Sequence, residues 1–238
     1  MTCHRFYMPD FKITEGELEI KNLEQIRQIR RVLRLKIKDR LIVFDGKGKE
    51  KVLEISEFFK NKIRARFLAE QDSKPELGFG INLFQAIISK DKFELVVQKA
   101  TELGATKIIP VITAFSQPFN LRAERLRKIA IEAAEQSERS LIPAIEEKMD
   151  FREALQKAGS GFIAWEGEKQ NSFENLLKDD KISKKSEVNL FIGPEGGFTE
   201  REIKLAKELG FKTFSLGQRT LRAETAAIAA ISLLACWY

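Results

Sequence analysis

The pattern of apolar and polar positions changes character about one third of the way along the chain. Up to residue 74 the apolar residues come in short runs. His4–Phe11 and Arg40–Asp45 are the first two, the second closed by Asp45-Gly46, a strong turn signal. Lys51–Phe59 and Lys62–Leu68 follow. The latter alternates Ile63, Ala65 and Phe67 with Lys62, Arg64 and Arg66, as a strand with one wet face does. Within Asn22–Leu33, Leu23, Ile26, Ile29 and Leu33 recur at helical intervals, with Arg27, Arg30, Arg31 and Arg34 on the other faces. The expectation is a small β-rich domain, a barrel, carrying one arginine-studded helix. Gln71–Pro75 is polar and ends in proline, which suits a linker.

From Ile81 the rhythm becomes alternating strand and helix. Ile81–Ile88 is a continuous apolar run, as expected of a parallel strand covered on both faces. Asp91–Leu103 is amphipathic, with Phe93, Val96, Val97, Ala100 and Leu103 on one side and Gly104 as its stop. Strand Lys107–Ile112, helix Arg122–Glu138, helix Asp150–Ala158, strand Gly161–Trp165 and helix Ser172–Lys178 follow. The chain closes on two strand-to-helix corners, one after Val188–Ile192 and one after Lys212–Leu216. Such βαβα alternation predicts an α/β domain with a mainly parallel sheet, in which ligands bind outside the carboxyl ends of the strands. The division is 1–74 and 75–238.

Charge sharpens this division. Residues 1–74 carry 18 lysines and arginines against 12 acidic residues, while the remainder of the chain is balanced at 23 and 23. Lys21–Lys51 alone holds 11 basic residues against 4 acidic ones. A localised basic field is the footprint expected of a phosphate-backbone partner; the plainer alternative is a solvated, lysine-rich surface. Other chemistries fall away. His4 is the single histidine and Cys3 and Cys236 lie at opposite ends, so there is no metal-ligand set of recognisable spacing, and triad or cysteine–histidine catalysis is set aside. No apolar run reaches the ~20 residues of a membrane span. The first residues lack an apolar signal core, and a reduced, cytoplasmic setting is expected.

Candidate chemistry concentrates at the two corners. Gly193-Pro194-Glu195-Gly196-Gly197-Phe198 follows an apolar strand directly, and Thr199 with Glu202 forms a capping box for the next helix. One glycine suffices for a tight turn; three allow close backbone approach to a ligand. The dinucleotide fingerprint G-x-G-x-x-G is absent, because Glu195 takes its third position. The second corner, Leu216–Thr225, places Arg222 and Glu224 at the mouth of Ala226–Cys236, apolar on every face and expected to be buried on all sides. Arg222 and Glu224 pair with each other or with backbone on the structural reading. Glu135-Gln136-Ser137-Glu138-Arg139 ends the long helix and reads as a solvated terminus.

FIGPEGGFTEREI, LGQRTLRAETAA, KATELG at Lys99–Gly104 and EQSER at Glu135–Arg139 stand in an order and spacing that resemble the RsmE family of 16S ribosomal RNA (uracil-N3)-methyltransferases, in the SPOUT superfamily. HRFYMPDF and RRVLRLKIKDRLIVFDGKG resemble that family's PUA-like RNA-binding domain, so the likeness covers essentially the whole chain. It implies a trefoil knot at the carboxyl end, an exception to the rule against knots, binding of S-adenosylmethionine (SAM), and a homodimer with Ala226–Cys236 as knot core and interface. Carried onto this chain, it implies cofactor contacts from Trp165, Glu166, Ile192, Gly193, Gly196, Gly197, Leu216, Gly217, Leu221, Thr225 and Ala226.

Uridine N3 carries a proton at neutral pH, so the enzyme must remove it or stabilise the resulting anion. The resemblance makes Arg222 the group that holds this charge and Glu224 either its orienting partner or a general base. Gln136 and Arg139 are expected to meet the uracil or a phosphate, and Arg27, Arg30, Arg31, Arg34 and Lys36 to bind small-subunit RNA. The chain departs from the family pattern at Gln28-Ile29, where a histidine is usual, at Lys38, where glycine is common, and at Thr220, where isoleucine is usual. Ala114-Phe115-Ser116 replaces a charged pair followed by Ser or Thr. The readings set against this one are a non-catalytic RNA-binding or ribosome-assembly protein on the same fold and a Rossmann-like nucleotide enzyme.

Overall fold

By contact the chain forms two units, Met1–Pro75 with Ala134–Ile142, and Glu76–Ala133 with Pro143–Tyr238. The computed structural model describes residues 3–71, 76–117, 120–173, 175, 176 and 187–237. Most of the expected linker, and part of the expected helix Ser172–Lys178, lie outside them.

The first unit is built on strands β1 (His4–Tyr7), β2 (Glu17–Ile20), β3 (Arg40–Phe44), β4 (Glu50–Phe58) and β5 (Ile63–Gln71), in the order β1-β3-β4-β5-β2. β1 runs parallel to β3 and the other pairs are antiparallel. Among the described residues no ladder joins the edge strands β1 and β2. The run His4–Phe11 ends as a strand at Tyr7, two residues before Pro9, which has no N–H for a ladder. Phe6, Leu18, Ile20, Leu41, Val43, Leu53, Ile55, Ile63 and Ala65 alternate inward and form the core with Ile26 and Ile29.

The arginine-bearing helix is shorter than its apolar spacing predicts. Asn22 caps Leu23–Arg27 by accepting hydrogen bonds from the backbone N–H groups of Glu24 and Gln25. Gln28–Val32 then widens into a π-type turn. Arg34 and Lys38 follow with φ of +53° and +74°, in the left-handed region that disfavours side chains with a Cβ. Lys38 is the position where the resembling family commonly has glycine, and its backbone gives the reason.

The second unit carries a seven-stranded, all-parallel sheet. Its strands are β6 (Gly80–Ala86), β7 (Ala105–Ile112), the two-residue β8 (Ala144–Ile145) and β9 (Met149–Asp150), β10 (Phe162–Ala164), β11 (Glu187–Ile192) and β12 (Lys212–Phe214). The order is β12-β10-β11-β6-β7-β8, with β9 also on β7. Phe84 of β6 stacks on Phe191 of β11 at 4.3 Å, and Phe151, Phe198 and Phe211 pack around the pair. Helices Lys90–Glu102, Ala123–Ser137 and Phe151–Ala158 fall within one or two residues of their predicted ends, and Glu200–Glu208 starts at the predicted Thr199 cap. The last helix begins earlier than expected, at Ala223, and so takes in Glu224 and Thr225. It is not buried on every side: Leu233 is 47% exposed and Cys236 lies at the surface. No helix among the described residues is long and apolar enough to cross a membrane.

Candidate active site

Because every pairing in the second sheet is parallel, all its carboxyl ends open on one edge. β10, β11 and β12 are neighbours there, and the loops that leave them line a single half-open cleft with a cavity volume of about 190 Å³. Trp165 and Glu166 come from the loop after β10. Ile192, Gly193, Gly196 and Gly197 come from β11 and its corner. Leu216, Gly217 and Leu221 come from the loop after β12, and Ala226 from the last helix. Of the expected cofactor residues, Thr225 alone does not line the cleft; it is exposed on the first turn of its helix.

The glycines in this cleft have two different reasons. Gly217 adopts φ +113° and Gly197 φ +70°, which L side chains rarely take. Gly193 and Gly196 are set by proximity. A Cβ on Gly193 would stand 3.2 Å from the Phe198 ring, and one on Gly196 would stand 3.0 Å from Phe115 Cβ. Ile192, Leu216, Leu221 and Ala226 give the lining an apolar part, and Glu166, Gln218 and Arg219 give it a polar one. A concave site of mixed apolar and polar lining fits a small organic ligand.

Two carboxylates, Glu168 and Glu202, hold these loops. Glu168 accepts from Thr213 Oγ1 of β12 at 2.6 Å and from the N–H groups of Gln170 and Asn171, fastening the β10 loop to β12. Burial pushes its carboxyl up, but those three donors outweigh burial and hold it below the ordinary carboxylate value. Glu202 accepts from Thr199 N–H and Oγ1 in the predicted capping box, and also from Ala114 N–H at 2.9 Å. Only the first half of that bond set is visible as a sequence motif; Ala114 is 88 residues away.

Arg222 and Glu224 are not joined. Arg222 is exposed and has no side-chain partner among the described residues, whereas Glu224 is buried at 8% exposure. Its Oε2 accepts no hydrogen bond and lies 3.9 Å from Lys92 Nζ. Lys92 also donates to Glu195 Oε1 at 3.0 Å. One ammonium therefore bridges the glycine corner and the head of the last helix. At Glu195, burial raises the carboxyl, but the Lys92 hydrogen bond and the N–H groups of Glu195 and Ser89 carry it below the usual value. The expected Arg222–Glu224 pair is thus replaced by Lys92–Glu224. Arg222 precedes the helix that starts at Ala223, whereas Glu224 is buried in its first turn.

In the first unit, much of the basic excess is internally matched. Lys62 and Lys21 pair with Glu19, and their hydrogen bonds pull its carboxyl down to about 2. Arg64 meets Glu17 and Glu57, Arg66 meets Glu54, and Lys51 meets Glu70. Arg27, Arg31, Arg34 and Lys36 differ: all four are exposed and make no ion pair among the described residues. Arg30 does not belong with them. Its guanidinium donates to the Phe59 carbonyl and lies 4.9 Å from the centre of the Phe58 ring.

The EQSER segment belongs to this first unit and is not a solvated helix end. Glu135 Oε1 accepts from Tyr7 N–H at 2.8 Å. The Arg139 carbonyl accepts from Arg5 Nη2, while Arg5 also makes a buried two-pronged ion pair with Glu50. Gln136 is exposed; Arg139 is buried at 7% and so is not presented to solvent as an RNA contact would require.

The comparisons with known proteins give the class of this fold and cleft, an RNA methyltransferase. Residues 75–235 match the family described as RNA methyltransferase domain, and residues 20–68 match the RNA methyltransferase PUA domain. The Rickettsia conorii ribosomal RNA small subunit methyltransferase E is 37% identical over 233 residues, covering 98% of this chain and 95% of that protein. The Bacillus subtilis protein of the same name is 31% identical, with 89% and 87% covered. The crystal structure of ribosomal RNA small subunit methyltransferase E from Neisseria gonorrhoeae bound to S-adenosyl methionine superposes with a TM-score of 0.86 at 32% identity, covering 100% of this chain and 98% of that one. The chain belongs to the ribosomal RNA small subunit methyltransferase E family.

Proposed function

We propose that this protein is a SAM-dependent methyltransferase that modifies N3 of one uridine in 16S ribosomal RNA. The observation that carries the reading is the single cleft made by the loops after β10, β11 and β12, in a family whose Neisseria member is bound to SAM. Bound SAM supplies a methyl group on a sulfonium. Ile192, Leu216, Leu221 and Ala226 would hold the adenine, with the backbone of Gly193, Gly196, Gly197 and Gly217 beside it and Trp165 and Glu166 at the rim. Arg222 holds the negative charge that develops on the uracil oxygens as N3 loses its proton. Glu224, fixed by Lys92, offers an unbonded Oε2 as acceptor rather than orienting Arg222 through a direct pair. Calorimetry tests the cofactor assignment: SAM binds and NAD does not. Binding of NAD instead would return the chain to the Rossmann-like reading.

The same reading makes residues 1–74 the PUA-like RNA-binding domain and residues 75–238 the SPOUT domain with its carboxyl-terminal knot, working in the cytoplasm. Arg27, Arg31, Arg34 and Lys36 supply affinity for small-subunit RNA; Arg30 supports their helix, and Gln136 remains an exposed candidate for meeting the RNA. Replacing those four by alanine should weaken RNA binding and flatten its salt dependence by about 0.7–0.9 in log–log slope for each phosphate no longer neutralised. Arg30→Ala should instead lower the melting temperature. Unchanged affinity and slope in the fourfold variant would leave the domain needing another role.

A homodimer through the last helix completes the reading, since its outer face exposes Leu233 and Cys236 on an otherwise apolar helix. Leu233→Glu should sediment as a monomer where the wild type sediments as a dimer. A wild-type monomer at micromolar concentration would end this part of the proposal.

A further inference from the structure

We propose that Phe115 is a stacking platform for the pyrimidine ring of the target nucleotide, an assignment that rests on the RNA-methyltransferase reading above. Phe115 is 52% exposed, although it is a large apolar side chain. It lies against the cofactor corner: a Cβ on Gly196, a residue that lines the cleft, would stand 3.0 Å from Phe115 Cβ and 3.1–3.2 Å from its ring atoms. An apolar ring is therefore held at the rim of the cleft with much of its surface uncovered.

Its backbone is fixed on both sides. Thr113 N–H donates to Ser116 Oγ at 2.9 Å, and Ser116 N–H returns to the Thr113 carbonyl at 3.1 Å. Ala114 N–H donates to Glu202, which caps the helix that follows the glycine corner, and Gln117 N–H donates to the Ile87 carbonyl. A ring presented by so constrained a turn loses little freedom when it is covered. The occupant that the site's chemistry calls for is a flat base. A base taken out of its stack for reaction must be held by an aromatic or apolar surface, and stacking tolerates any base because each has a π-face. Such a contact does not depend on salt, unlike those of Arg27, Arg31 and Arg34.

The test measures methyl transfer to small-subunit RNA particles by the full-length wild type and by Phe115→Ala, Phe115→Leu and Phe115→Trp. SAM affinity, salt dependence, sedimentation and melting temperature are measured in parallel. Phe115→Ala and Phe115→Leu should raise the KM for RNA about 5- to 150-fold. SAM affinity and the salt slope should be unchanged, and Phe115→Trp should remain near wild type. A wild-type KM in the alanine or leucine variant overturns the stacking role, because leucine keeps the apolar contact with Gly196 and loses only the aromatic face. Conversion of a dimer to a monomer by Phe115→Ala also overturns it, in favour of contact with a second copy. Failure of the wild type to methylate any RNA would be a separate result: it defeats the methyltransferase reading itself, and the Phe115 assignment with it.

Discussion

Arg222→Ala should lower the turnover of methyl transfer by at least about 100-fold and leave SAM affinity within a small factor of wild type. The two halves of this expectation come from different observations. Arg222 does not line the cofactor cleft, and its side chain makes no hydrogen bond or ion pair within the described residues, so truncating it should disturb neither the pocket nor the fold. Its guanidinium is exposed beside a cleft whose walls are complete without it. A cation so placed has the freedom to meet a substrate, and a preorganised charge facing a developing anion is worth several kcal/mol once water is displaced. Arg222 is exposed in the single chain, so that displacement must come from the bound RNA or from a second copy. Arg222→Lys should recover only part of the rate, because an ammonium lacks the planar fork that can span two acceptors. Single-turnover kinetics with SAM titration read both quantities. Near-wild-type turnover in the alanine variant would remove Arg222 from the mechanism.

Loss of either member of the Arg5–Glu50 pair should destabilise the first unit by about 3–5 kcal/mol. The two side chains are 4% and 0% exposed and meet in two parallel hydrogen bonds, one of them 3.1 Å long. Gln71 Nε2 adds a donor to Glu50, and Arg5 passes a further hydrogen bond to the Arg139 carbonyl. Arg5→Ala leaves a buried carboxylate without its counter-charge, and Glu50→Ala leaves a buried guanidinium in the same position. The double change Arg5→Met, Glu50→Leu removes both charges, so it should recover much of the loss despite deleting more hydrogen bonds. Thermal melting of the three variants decides the matter. Melting temperatures that fell in the double variant by the sum of the two single effects would show that desolvation is not what makes the singles costly.

The cleft is legible in the sequence because it is built from local patterns. A strand, a glycine corner and a capped helix are contiguous, and parallel topology brings such corners to one edge without long-range information. Ten of the eleven residues that the resemblance assigns to the cofactor line the cleft. Partners far apart in the chain are not legible. Lys92 and Glu224 are brought together by the packing of Lys90–Glu102 against the last helix, whereas the nearness of Arg222 to Glu224 in sequence suggests a pair that the helix geometry does not make. Arg30 shows the same limit: in sequence it matches its neighbours, and only the fold brings Phe58 of β4 and the following Phe59 to it. The strand Glu17–Ile20 gives no clear signal because its four residues hold only two alternations. The expected all-round burial of Ala226–Cys236 is an inference from composition, and composition does not say which chain covers a helix.

The central claim is tested most directly by incubating the full-length protein with labelled SAM and unmodified small-subunit ribosomal RNA, free and as assembled particles, and mapping the modified base. The account predicts stoichiometric label on N3 of a single uridine, lost in Arg222→Ala. Absence of transfer to either form of the RNA, or label on a different atom or on many sites, would contradict it.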